Sequence, residues 1–160
     1  MRKPLISAAI LSLCLWPSAC GFEPVYRGDL ASTSGTVTVP TINGRTGHLL
    51  RKSLLEETRI GLPGIEDKAT LEVELKESIN RLAFRADGAA ARSSVRLTAR
   101  YSVFHDGEPI RGGADSEIYF FVPNPVFGDI SAQNNASRQA AEDLARRIIE
   151  DIRLQLSSET

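Results

Sequence analysis

Apolar and polar residues alternate with a period of two over "ATLEVELKESI". Leu71, Val73, Leu75 and Ile79 fall on one side, and Glu72, Glu74, Lys76 and Ser78 on the other, as in a strand with one dry and one wet face. The same period recurs in "SVRLTARYSVF", where Val95, Leu97, Ala99, Tyr101 and Val103 oppose Arg96, Thr98, Arg100 and Ser102. A third run, about Ile110 to Val122, is aromatic-rich at "EIYFF". Asp106-Gly107 lies just before it, and the backbone freedom of that pair suits a hairpin reversal. Between the first two runs, "RLAFRADGAAAR" reads as a loop. Val37 and Val39 alternate briefly before Pro40, which predicts a short edge strand over Thr36 to Pro40.

Two segments change to the helical period. Leu50, Leu54 and Leu55 share a face of a predicted helix from about Thr46 to Arg59, with Arg51, Lys52, Glu56 and Glu57 turned to water. Thr46 suits the N-cap, and Gly61 with Pro63-Gly64 ends the element. The second helix runs from about Ile130 to Leu156, roughly 40 Å. Ala141, Leu144, Ala145, Ile148, Ile152 and Leu156 form its apolar stripe, small side chains first and larger ones later. The expected fold is α+β, with two helices packed on one face of a small, mainly antiparallel four-stranded sheet. No internal repeat is evident.

The first twenty residues follow neither period. Arg2 and Lys3 precede an uncharged run from Pro4 to Trp16, then Pro17-Ser18-Ala19-Cys20. A basic start, a short apolar middle and small residues before a break make a secretory signal that is too short to span a bilayer. Ser18 and Ala19 before a cysteine further suit lipoprotein processing, in which the thiol of Cys20 receives a diacylglycerol, although Pro17 stands where such signals usually carry Leu. The division expected is a signal peptide over 1–19, a lipidated N-terminus and tether over 20–34, and a single domain over 35–160. Two or more acyl chains give durable anchoring where one is marginal. Gly21, rather than Asp, as the second mature residue is compatible with sorting to the outer membrane. An ordinary signal peptide cut near Ala19, or a cytoplasmic chain with a buried N-terminal helix, are the alternatives.

Removing residues 1–19 leaves 141, enough for one substantial core. The mature chain keeps 17 basic and 20 acidic side chains, and a net charge near −3 with an export signal argues against nucleic acid as a partner. Cys14 lies in the removed segment and Cys20 is expected to be acylated, so no disulfide supports the fold.

Candidate chemistry is sparse. His48 and His105 are the only histidines, one at the start of a predicted helix and one before a turn, and they suggest neither a metal cluster nor a nucleophile-base pair. Glu72 and Glu74 share a strand face but fit cross-strand charge pairing better than acid-base work. No phosphate-binding glycine loop is present. No catalytic residue, metal site or cofactor is therefore expected. Arg81, Arg85, Arg92, Arg96 and Arg100 leave two readings open: a solvated face balanced by Glu72 and Glu74, or an anion-binding surface whose guanidinium forks meet phosphates or carboxylates of a membrane glycolipid.

Taken in order, "ACGFEPVY", "GRTGHLLRKSLLEE", "ADGAAARSSVRLTARYSVF" and "SAQNNASRQAAEDLARRI" resemble the LPS-assembly lipoprotein LptE family, especially its alphaproteobacterial members. The resemblance covers essentially the whole mature chain. It implies two helices on a small antiparallel sheet and an acylated cysteine at Cys20. It also implies a non-enzymatic protein at the outer membrane, facing the periplasm and the lumen of the LptD barrel, which plugs that barrel and helps lipopolysaccharide reach the cell surface. An accessory or pilotin-type lipoprotein of another envelope complex is the alternative, and a lipoprotein enzyme, which would need a concave site that these residues do not advertise, is a third class.

Overall fold

The computed structural model describes residues 35–122 and 126–158. The expected signal segment, Cys20 and the tether lie outside the described residues. Among the described residues, four strands and two helices follow in the order β1 (Val37–Thr38), α1 (Arg45–Glu57), β2 (Ala69–Phe84), β3 (Ala90–Phe104), β4 (Ile110–Phe121) and α2 (Val126–Ser158). The sheet order is β1-β2-β3-β4; β1 pairs parallel to β2 and the other neighbours are antiparallel. This is the α+β arrangement expected, with two helices packed on a mostly antiparallel four-stranded sheet.

Alternation sets the faces. Leu71, Val95, Leu97, Ala99, Tyr101, Val103 and Ile110 are buried beneath the helices, together with Leu50 and Leu54 of α1 and Leu144, Ile148, Ile149 and Ile152 of α2. Helix α2 lies along β3 and β4 and packs against α1. Its stripe starts earlier than expected, at Ala136 and Ala140, and Leu156 at its far end is only partly buried.

Several boundaries differ from the sequence reading. Strand β2 continues through Phe84 and β3 begins at Ala90, so most of the expected loop over 81–92 is sheet. Register shifts between Arg81 and Ala83 and between Ala83 and Phe84 interrupt the period of two there, which hides the strand from an alternation count. Helix α2 starts at Val126, four residues before the expected Ile130. Helix α1 is capped by Gly44 at φ 85°, a left-handed conformation suited to glycine, and makes no side-chain cap. Thr46 lies inside the helix, buried, and its hydroxyl donates to Glu77 Oε2 at 2.8 Å.

Candidate functional site: the open face of the sheet

The face of the sheet away from the helices carries the charged residues. Three rows cross it by register: Glu74, Arg100 and Gly113; Lys76, Thr98 and Asp115; Ser78, Arg96 and Glu117. Side chains of opposite sign meet across strands, the sheet counterpart of helical ion pairing. The Arg96 guanidinium lies 2.5 Å from Glu117 Oε2, and the Ser94 hydroxyl donates to Glu117 Oε1 at 2.7 Å. The Ser94 hydrogen bond, then Arg96, hold the Glu117 carboxyl below its ordinary value, while Glu117 raises that of Arg96. Arg96 is thus balanced by β4 rather than by Glu72 or Glu74, the partners its sequence context suggested.

Arg100 has a different setting. Glu74 faces it on one side, but on the other stands Gly113, which offers no side chain. Arg100 lines two open depressions that both also include Glu74, one with Lys76, Ser78, Arg96 and Thr98, the other with Glu72, Ser102 and Arg111. A guanidinium between two open depressions can accept a carboxylate or phosphate without first breaking an ion pair.

The sheet separates the five arginines singled out in the sequence. Arg92, Arg96 and Arg100 share the open face, with the Arg92 guanidinium 5.4 Å from the Tyr119 ring centroid and 5.8 Å from that of Phe121. Arg81 and Arg85 instead border a groove on the helix side, with Ile79, Ser93, Asp129 and Gln133. Arg85 also donates to the Val122 carbonyl, clamping the β2–β3 turn to the end of β4. They do not make one cluster.

Polar networks on the covered face went unforeseen. Glu77 accepts hydrogen bonds from Thr46 of α1 and, at 3.0 Å, from Ser137 of α2, so one carboxylate on the sheet ties both helices. Its signal was present: it breaks the run of Leu71, Val73 and Leu75 at the inward parity. The Tyr101 hydroxyl donates to Asp151 Oδ2 at 2.5 Å and accepts from Gln155 at 3.0 Å. Burial, and then the Asp151 bond, push the Tyr101 hydroxyl well above the ordinary tyrosine range. Buried Ser116 donates to Asp143, which also faces Arg147 at 2.8 Å. Burial pushes the Asp143 carboxyl up, but Ser116, Arg147 and Arg146 outweigh it and its net shift is downward.

Among the described residues no three His, Cys, Asp or Glu side chains group as metal ligands, and no helix is long and apolar enough to cross a membrane. His48 is exposed, and His105 Nδ1 accepts the Gly107 N–H within the turn. The arrangement can hold charge against charge over a flat polar surface, which suits docking.

Comparison with known proteins agrees in fold. A family model described as LptE, lipopolysaccharide-assembly, matches residues 34–156. A Caulobacter crescentus protein described as a lipoprotein has a crystal structure that superposes with a TM-score of 0.57 at 23% identity, covering 80% of this chain and 92% of that one. Rare lipoprotein B from Shewanella oneidensis gives 0.57 at 11% identity, covering 79% and 99%. A minor lipoprotein from Acinetobacter baumannii gives 0.52 at 19%, covering 78% and 94%. No curated protein sequence matches the chain.

Proposed function

The chain belongs to the LptE lipopolysaccharide-assembly family, and from that premise we propose that it is an outer-membrane lipoprotein that plugs an LptD-like β-barrel and assists assembly of lipopolysaccharide at the cell surface. The observation that carries this reading is the family match over residues 34–156, nearly the whole described domain. A plug needs a compact body with a broad polar surface rather than a reactive pocket, and the open sheet face, with its cross-strand charge rows, supplies one. Cys20, acylated, confines the search for the barrel to the membrane surface and raises the effective concentration of the two partners. The domain faces the periplasm and the barrel lumen, and it acts without catalysis.

Of the five arginines, Arg100 is the one best placed to meet an anionic group of the barrel or of lipopolysaccharide, because its β4 flank is open. Arg96 is already engaged by Glu117, and Arg85 by the Val122 carbonyl.

The test is mass spectrometry on a C-terminally tagged chain purified in mild detergent from its native outer membrane, reading the N-terminal mass and the partners together. Acylated Cys20 with a stoichiometric LptD-like barrel is the expected result. Acylation with a different envelope complex would replace the plug by an accessory or pilotin-type lipoprotein, and an unmodified N-terminus would remove the anchor.

A further inference from the structure

Large apolar side chains are concentrated on the surface at one end of the sheet. Ile79, Leu82, Phe84, Tyr119 and Phe121 are all exposed there, Phe121 to 77%. Exposed apolar groups gathered in this way mark a contact surface. They do not lie in one plane. By register Tyr119 and Phe121 belong to the open face and Ile79 to the helix side, while Leu82 and Phe84 lie where the β2 register shifts. A flat protein partner would engage one of these faces, whereas a fluid interface surrounds all of them.

Charge runs the same way along β2 and into the β2–β3 turn. Residues 66–78 contain five acidic side chains and two lysines, whereas 79–93 contain Arg81, Arg85, Arg92 and a single acid, Asp87. Arg92 lies against the Tyr119 and Phe121 rings, which joins a cation to an aromatic surface. Aromatic and aliphatic groups beside arginines are the composition that settles at an anionic lipid interface. The backbone is suited to it as well. The Arg85 N–H donates to Ala89 O at 2.8 Å, the Gly88 N–H to Arg85 O at 3.0 Å, the Ala89 N–H to Asp87 Oδ1 at 3.0 Å, and the Val122 N–H to Ala91 O at 3.0 Å. Fewer peptide groups are left to be stripped of water.

We propose that the β2–β3 turn end of the sheet is a membrane-contact surface that rests in the interfacial layer of an anionic phospholipid bilayer. This contact belongs to the domain itself and is independent of both the barrel and the acyl anchor. It holds the basic, aromatic turn end at the membrane and turns the acidic start of β2 away.

Tryptophan fluorescence tests the contact directly. In a Trp16→Phe background, which removes the chain's single tryptophan, one reporter is placed by Phe121→Trp at the aromatic end and another by Phe104→Trp at the opposite end of β3. The full chain is reconstituted into phosphatidylcholine–phosphatidylglycerol vesicles containing brominated phospholipid, and its N-terminal mass is recorded on the same sample, so a missing anchor and a missing contact are separate results. The Phe121→Trp emission is expected to shift to the blue and be quenched, the Phe104→Trp emission to remain that of an indole in water, and Arg81→Glu with Arg92→Glu to shift the contact equilibrium toward the unquenched state by roughly fivefold per charge. Leu82→Trp serves as a second reporter should Phe121→Trp disturb the fold. Unquenched emission from both end reporters overturns the proposal. So does equal quenching at both ends of the sheet, or shielding that develops only when a barrel protein or lipopolysaccharide is added.

Discussion

Glu77 is a charged side chain at an inward position, and two buried hydroxyls depend on it. Thr46 and Ser137 each donate to one of its oxygens, and Glu77 itself is exposed to solvent, so Glu77→Ala removes both acceptors and leaves water to replace them. A loss of about 1 kcal/mol is expected in urea unfolding, the net worth of hydrogen bonds that water replaces in part. Tyr101 is the second such position. A Cβ added at Gly112 would stand 2.3 Å from the Tyr101 hydroxyl, so only glycine lets that ring cross β4 and reach Asp151 on α2. Gly112→Ala is therefore expected to cost about 1–3 kcal/mol. The Tyr101 hydroxyl has its folded pKa raised, so its contribution is whole below the unfolded value of about 10 and is lost as the pH rises beyond it. The urea midpoint of the native chain should fall more steeply above pH ~10 than that of Tyr101→Phe, and parallel curves for the two would show that the hydroxyl carries no such linkage.

At the scale of elements, α2 holds the fold together through a seam of small side chains. Ala136, Ala140, Ala141 and Ala145 are at most 3% exposed, and at such positions a larger group must displace the packing around it. Ala141→Leu should cost about 1–3 kcal/mol by overpacking, and Ile148→Ala, further along the helix, about 2–5 kcal/mol through the cavity it leaves; urea unfolding of the two variants checks both. Much of this was legible in the sequence. The alternation of β3 and the stripe from Ala141 to Ile152 each place their residues on the buried face observed. Other parts were hidden for local reasons. The register shifts after Arg81 cancel the parity by which a strand is recognised, so β2 reads as ending early. Thr46 reads as a cap because its true partner is Glu77, 31 positions away, which no local rule can reach. Parity in the sequence already puts Arg92, Arg96 and Arg100 on one face; what it does not reach is Arg81 and Arg85, which fall in the stretch read as a loop and which the continued β2 carries to the helix side.

Over the whole molecule, the open sheet face must remain folded on its own and still offer a group to a partner, and Arg96 and Arg100 divide those two demands. Arg96 is held by Glu117, so Arg96→Glu sets two carboxylates together and disturbs the face itself. Reversing both, Arg96→Glu with Glu117→Arg, restores the attraction and should restore the native urea midpoint. Arg100 faces Glu74 on one flank and an empty glycine row on the other, so Arg100→Glu sets one carboxylate against Glu74 and should cost no more than about 1 kcal/mol. If this face docks on the barrel or on lipopolysaccharide through Arg100, that reversal should cut recovery of the partner from native outer membranes while the swapped pair retains it. Equal recovery with Arg100→Glu and the native chain would move the contact away from the open face. Loss with both variants would instead mean that the partner reads the position of every charge on this surface, so that Arg96 and Glu117 contribute to docking as well as to the fold.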